Sequence, residues 1–319
     1  MTFVSSSQPT TGPGSPIAEP AAYRKQTTRL EKGPIRMSDA DTSRRIFMTL
    51  AAAAPAALAL ASAASAQTAT AGPATLPGAG KAAVVTGSSR GIGAATAKRL
   101  ARDGFAVTVN YLTNRDLAAR VVADIKAGGG RAIVRQGDVA DPAAVKALFD
   151  ANDQAFGGVD VVVNNAGIMN VGPFAQMTDS AFDRMMATNV KGSFNVLREA
   201  ARRTRDGGRI ISLASSIIKT PPPATAAYAA TKSAQVLFSS VLAKELIGRN
   251  ISVNAVAPGA VDTQLLRQHG EEALRGIPEQ TPLGRLGLPE DIAGVIALLC
   301  SQDGAWIDAQ TIFANGGLG

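Results

Sequence analysis

Tyr228 and Lys232 stand four residues apart in the stretch AAYAATKSA, and Ser215 lies thirteen residues before the tyrosine. On a helix, positions i and i+4 share one face, so a lysine ammonium can lie beside a tyrosine phenol. A neighbouring cation favours phenolate and lowers a pKa that is otherwise about 10. The pair is therefore expected to give and take a proton at a substrate oxygen near neutral pH. Alone, this spacing also describes an ordinary solvated helix face. What raises it above chance is its place after a strand-like segment, RIISLAS, and well after a glycine-rich turn, TGSSRGIG.

The elements that must hold these residues can be read from Lys81 onward. KAAVVTG, FAVTVNY, RAIVRQGD, VDVVVNNAG, GRIISLAS, ISVNAVAPG and QTIFANGG have the apolar or alternating character of strands. Between them, GIGAATAKRLARDG, NRDLAARVVADIKAGGG and DPAAVKALFDANDQAFGG carry helical periodicity and end at glycines, and PEDIAGVIALLC forms a last helix. Regular alternation predicts an α/β fold in which parallel strands are joined by right-handed crossovers, with helices on both faces.

The first strand-to-helix turn contains Gly87, Gly91 and Gly93, with Ser89, Arg90 and Ile92 between them. Glycine there permits a sharp turn and close approach of a pyrophosphate, and the helix N-terminus offers free N–H groups and partial positive charge. A dinucleotide site preferring NAD places a carboxylate on the ribose about 20 residues further on. Here the second strand ends in Asn110 and Tyr111, and the first carboxylate is Asp116. Without that repulsion, and with Arg90 in the turn and Arg115 nearby, the expected cofactor is NADP rather than NAD.

The chain has 319 residues, 46% hydrophobic but only 4% aromatic. Residues 1–36 are rich in Ser, Thr, Pro and Gly and read as a disordered or mis-assigned extension, Met37 being the candidate start. Residues 37–66 have the pattern of a twin-arginine export signal: Arg44 and Arg45 before Ile46 and Phe47, an apolar run from Leu50 to Ala61, and Ala64-Ser65-Ala66 ahead of Gln67. That run falls short of the roughly 20 residues of a membrane span, so cleavage and a bacterial periplasmic location are expected rather than an anchor. A linker over 67–79 and one domain over 80–319 complete the organisation.

Of the 32 basic and 25 acidic residues, seven and four fall within 1–66, leaving +4 for the remainder, which makes no case for nucleic acid. A single cysteine, Cys300, reads as a small buried hydrophobe and forbids an intramolecular disulfide. With His269 the only histidine, neither a metal site nor a Ser-His-Asp triad can be assembled.

TGSSRGIG, NNAG at Asn164 to Gly167, Asn189 in ATNVKG, Ser215, and Tyr228 with Lys232 together resemble the short-chain dehydrogenase/reductase family, nearest to NADP-dependent 3-oxoacyl-carrier-protein reductases. The likeness runs from about Gly80 to the C-terminus. It implies a Rossmann-type, doubly wound, seven-stranded sheet, usually in a homotetramer or homodimer, and hydride transfer between NADP(H) and a carbonyl or secondary alcohol. By this resemblance Tyr228 protonates the carbonyl oxygen, and Ser215 hydrogen-bonds it, with Ser216 the competing assignment. Lys232 lowers the tyrosine pKa and binds the nicotinamide ribose, and Asn189 bends its helix and holds a water that feeds protons toward Lys232. Asp138 and Val139 correspond to the adenine contact, and Asn165, Ala166 and Gly167 to the ribose wall. Pro258, Gly259, Val261 and Thr263 correspond to the segment closing over the nicotinamide. Two departures are ASS for the commoner ISS, and Ala309 where glycine is frequent. A non-catalytic dinucleotide-binding sensor or scaffold is the rival reading, which the complete set Asn189, Ser215, Tyr228 and Lys232 disfavours.

The substrate is less defined. The polar, glycine-bearing segment 262–288 is expected to form a lid, and Met169, Val171 and Pro173 to add an apolar wall.

Overall fold

The computed structural model describes residues 75–318. The extension, the export signal and most of the 67–79 linker lie outside the described residues. Within the linker, Gly78 N donates to Asp103 O (2.8 Å), so the domain's packing begins just before the first strand.

Seven parallel strands form one sheet: β1 (Ala82–Val85), β2 (Ala106–Tyr111), β3 (Ala132–Gln136), β4 (Val159–Asn164), β5 (Thr204–Leu213), β6 (Ser252–Pro258) and β7 (Thr311–Ala314), in the order β3-β2-β1-β4-β5-β6-β7. The intervening helices are α1 (Gly91–Arg102), α2 (Arg115–Ala127), α3 (Pro142–Phe156), α4 (Asp179–Met185), α5 (Gly192–Arg203), α6 (Ala226–Glu245) and α7 (Pro289–Cys300). Three single turns lie between β6 and α7.

The period of two in each strand decides which helices cover which face. In β1, Ala83 and Val85 join Leu100, Val121, Ile125, Ile292 and Ile296 under α1, α2 and α7. Val84 points the other way, to Val145, Phe149, Val196 and Leu242 under α3, α5 and α6. Local signals set the helix ends. Asp141 caps α3 by accepting from Ala143 N (2.9 Å), Pro142 occupies the first turn, and Gly157 closes it with φ of 80°. Cys300 lies in the first apolar cluster, and burial pushes its thiol up to about 12, as expected of a small core hydrophobe.

Strand order reverses direction between β1 and β4. A doubly wound sheet opens its cleft there, beyond the carboxyl ends of the strands. The glycine turn after β1 and the Asn165–Gly167 turn after β4 both fall at this point. Ala309, just before β7, has φ of 55°, a left-handed backbone that favours glycine, so this departure from the family carries local strain. Among the described residues, no helix is long and apolar enough to cross a membrane.

Candidate active site

Helix α6 presents Tyr228, Thr231, Lys232, Gln235 and Ser239 to the protein interior, spacings of three and four that make one buried stripe. The lysine Nζ lies 5.7 Å from the centre of the Tyr228 ring. It donates to Leu213 O (2.6 Å) at the end of β5 and to Gln235 Oε1 (2.9 Å) one turn along the helix. Ser215 follows β5 after one residue, Ala214, and its hydroxyl, hydrogen-bonded with the Tyr228 phenol, favours the ionised form. Ser215 Oγ also accepts from Ile217 N (3.4 Å). Ser216, the competing assignment, also lines the cavity in front of Tyr228, so lining does not separate the two; the contact to the phenol belongs to Ser215.

The electrostatics of the pair differ from the sequence expectation. Burial pushes the Tyr228 phenol up to about 12, with Ser215 the opposing influence, and it pushes the Lys232 ammonium down to about 7. Both groups are nearly closed off from water, and desolvation penalises phenolate and ammonium alike. Burial is thus the leading cause at both groups, and for the phenol the opposing influence is Ser215 rather than Lys232. The phenol is held protonated, which is the state an acid needs for carbonyl reduction.

A stability consequence follows from the lysine. Its folded pKa is lowered from the usual 10.5 to about 7, so between those values the unfolded chain holds a proton that the native state has released. Stability then rises with pH across that window and is flat with respect to this group below it. Lys232→Met removes the titration. Relative to the variant, the wild type should gain up to about 1.4 kcal/mol per pH unit through this window. Urea unfolding of both proteins at several pH values measures the difference, and parallel stability curves would count against a neutralised amine.

Asn189 lies in a stretch of wide helical turn, Met186–Lys191, between α4 and α5. Such wide turns are frequent at functional sites. The side chain is fully buried: Oδ1 accepts from Ile168 N (2.9 Å), and Nδ2 donates to Ile168 O (2.8 Å) and Thr231 Oγ1 (3.1 Å). Its main-chain oxygen accepts from Gln235 Nε2 (3.0 Å). Asn189 thus clamps the loop after β4 to α6 from behind and does not line the cavity.

In front of the glycine turn runs a groove of about 320 Å³. Gly87, Ser89, Arg90, Gly91, Ile92 and Gly93 form its floor. Asn110, Asp138 and Val139 stand on one side, and Asn165, Ala166, Gly167 and Thr263 lead toward Tyr228. The cradle has no room for side chains. A Cβ on Gly93 would sit 2.6 Å from Gly87 O, and one on Gly87 2.9 Å from Ala166 Cα. Arg90, at the N-cap of α1, makes no side-chain cap, so the first N–H groups of that helix face the groove. These features fit a dinucleotide pyrophosphate.

Two of the groove residues also hold the turn itself in shape. Asn110 Oδ1 accepts from Gly87 N (3.0 Å), and its Nδ2 donates to Gly137 O (3.1 Å) and Arg135 O (3.3 Å). Asn165 Nδ2 donates to Thr86 O (2.8 Å) and Gly87 O (3.1 Å). Both Nδ2 groups, and Oδ1 of Asn110, are engaged in holding the turn in shape. Thr86, which the sequence reading passed over, completes the lock: its hydroxyl accepts from Asn165 N and Ala166 N, each at 3.0 Å.

A family model described as enoyl-(acyl carrier protein) reductase matches residues 87–319. An uncharacterized oxidoreductase of Methylorubrum extorquens is 43% identical over 242 residues, covering 75% of this chain and 98% of its own. Versicolorin reductase of Emericella nidulans is 41% identical over 251 residues, covering 75% of this chain and 95% of its own. A short-chain dehydrogenase from Burkholderia cenocepacia, solved in complex with NADP, superposes with a TM-score of 0.73 at 39% identity, covering 76% of this chain and 99% of that one. The chain belongs to the short-chain dehydrogenase/reductase family. It is an oxidoreductase of that family.

In this short-chain dehydrogenase/reductase the groove continues into a cavity of about 670 Å³, sharing Ile92, Asn165, Gly167, Thr263 and Leu265 with it. Ser215, Tyr228, Lys232, Pro258, Gly259 and Val261 all face this second space. The 262–288 segment covers it with Leu265, Leu266, Ile277 and Gln280. Its base is stitched by Asp262 N to Gly287 O (2.8 Å) and Gly287 N to Ala260 O (2.9 Å). From the far end of the chain, Asn315 donates to Leu318 O and turns Leu318 into the wall. Of the three residues expected as an apolar wall, Met169 lines the cavity, whereas Val171 and Pro173 do not. The chain leaves the site after Met169: Gly172 N donates to Ala224 O (2.8 Å), carrying its neighbours outward.

Proposed function

We propose that the protein is an NADPH-dependent carbonyl reductase acting on a neutral, largely apolar ketone, with 3-oxoacyl compounds as one class within that description. The observation that carries this reading is the convergence of Ser215, Tyr228 and Lys232 on a cavity continuous with the dinucleotide cradle. When bound, dihydronicotinamide supplies the hydride. Tyr228, held protonated by burial, gives its phenolic proton to the carbonyl oxygen. Ser215 donates a hydrogen bond to the same oxygen and stabilises the charge that grows on it. Lys232 keeps one N–H direction free of Leu213 and Gln235, for a ribose hydroxyl and for the charge left on the phenol. The absent carboxylate at the end of β2 and the guanidinium of Arg90 in the groove support NADP over NAD.

The cavity supports the substrate class. Met169, Ile217, Pro222, Leu266, Ile277 and Leu318 give it apolar walls, and Lys232 is the one charged side chain among its lining residues. A substrate carboxylate or phosphate would lose its hydration there without a spare cation to replace it. The family model's description favours acyl substrates, while versicolorin reductase is named for a different one, so fused-ring ketones enter as a second neutral class. A panel of 3-oxoacyl esters, fused-ring ketones and charged keto acids, assayed with NADPH and NADH in parallel, tests the reading. Turnover is expected for one or both neutral classes; equally good turnover of the keto acids would remove the apolar assignment.

Self-association into a homodimer or homotetramer is part of the proposal. Phe194 on α5 and Leu237 and Val241 on α6 are 49%, 64% and 53% exposed, an apolar strip suited to a second copy. Sedimentation as a monomer at assay concentrations would remove this element.

A further inference from the structure

Gln235 is fully buried on α6, seven residues after Tyr228 and three after Lys232. Every polar atom of its side chain is used. Oε1 accepts from Lys232 Nζ (2.9 Å), while Nε2 donates to Asn189 O (3.0 Å) and Ser193 Oγ (2.6 Å). One amide therefore joins the lysine to the wide helical turn and to the start of α5. A buried amide is costly unless satisfied, and an apolar residue would fill the space without that cost.

We propose that Gln235 is a positioning residue for Lys232, bridging it to the Asn189 carbonyl so that its ammonium form is favoured against burial and its remaining N–H is aimed into the cavity. This rests on the reductase reading above. With Leu213 O and Gln235 Oε1 taking two of the three ammonium protons, the third direction is fixed by geometry rather than by rotamer preference. Two acceptors also favour ammonium over amine, opposing the desolvation that draws the group toward neutrality. The surroundings leave few substitutes. From β5 the lysine faces Leu213 O and the cavity with Ser215 and from its own helix Tyr228; the loop after β4 brings Gly167, whose added Cβ would lie 3.5 Å from Nζ. Among the residues lining the cavity there is no carboxylate to hold the charge instead.

The test uses Gln235→Leu and Gln235→Glu in the full chain, with wild-type protein in parallel. Two readouts are taken across pH: the NADPH dissociation constant from fluorescence, and kcat and KM with a ketone the wild type reduces. Gln235→Leu removes an acceptor from the charged form, so the alkaline loss of NADPH affinity and of kcat should move to lower pH, with kcat falling about tenfold at neutral pH and the ketone KM little changed. Gln235→Glu puts a carboxylate beside the ammonium and should move the same limb to higher pH. If Gln235→Leu does not fold, the shift in Gln235→Glu still decides the matter. Unmoved pH limbs in the folded variants, even with a lowered melting temperature, would overturn the proposal and leave Gln235 a structural residue. Wild-type protein that binds NADPH but reduces no ketone would overturn the reductase reading instead, while the binding profile would still report on Gln235.

Discussion

Tyr228→Phe is expected to lower kcat for ketone reduction by about a thousandfold while leaving NADPH affinity close to that of the wild type. The substitution keeps the ring in its buried position and deletes only the hydroxyl that meets Ser215. Loss of one buried hydrogen bond costs about 1 kcal/mol of stability, so the variant should remain folded. Stopped-flow turnover and a fluorescence titration with NADPH separate the two effects. Retention of a substantial fraction of wild-type turnover would mean that another group delivers the proton, and would favour the rival reading of a binding protein if wild type and variant were equally inert. The direction of the phenol's shift adds a second signature. Since Tyr228 is pushed up to about 12, reduction should keep its acid through the neutral range, whereas oxidation of the alcohol, which needs phenolate, should accelerate as pH rises.

Arg90→Ala is expected to weaken NADPH binding by about 10- to 100-fold and NADH binding by far less, as removal of a charge-assisted hydrogen bond to a phosphate does. Arg90 lines the groove at the start of α1, and its Nη1 donates to Gln264 Oε1 (2.6 Å), which holds the guanidinium across the groove mouth. Arg90 is the one cationic side chain among the residues lining the groove; the one carboxylate there, Asp138, accepts from Ala140 N (2.9 Å), and Asn110 is committed to Gly87, Arg135 and Gly137. Selectivity for the extra phosphate therefore falls largely on this side chain. Calorimetric titration of wild type and variant with both cofactors measures it, and equal losses for NADPH and NADH would remove the electrostatic argument.

The 3.6 and 2.0 periodicities of the sequence determined the sheet and its covering helices, because burial on one or both faces of each element is written in consecutive residues. The glycine turn, Ser215, and the spacing of Tyr228 to Lys232 were legible for the same reason: each depends on a few neighbours along the chain. Gln235 was within reach of that reasoning too, since a polar residue seven positions after Tyr228 continues the same helix face, but nothing local says what it touches. Its partners Asn189 and Ser193 lie on another element, more than forty residues away. The same holds for Asn110, Asn165 and Thr86, whose side chains lock the turn after β1 to those after β3 and β4. The ionisation of the central pair belonged wholly to tertiary structure. Sequence placed a cation beside a phenol and so predicted an acidic tyrosine; packing of α6 against β5 and β6 removed water from both, and desolvation, a sum over all surrounding atoms, set the direction of both shifts.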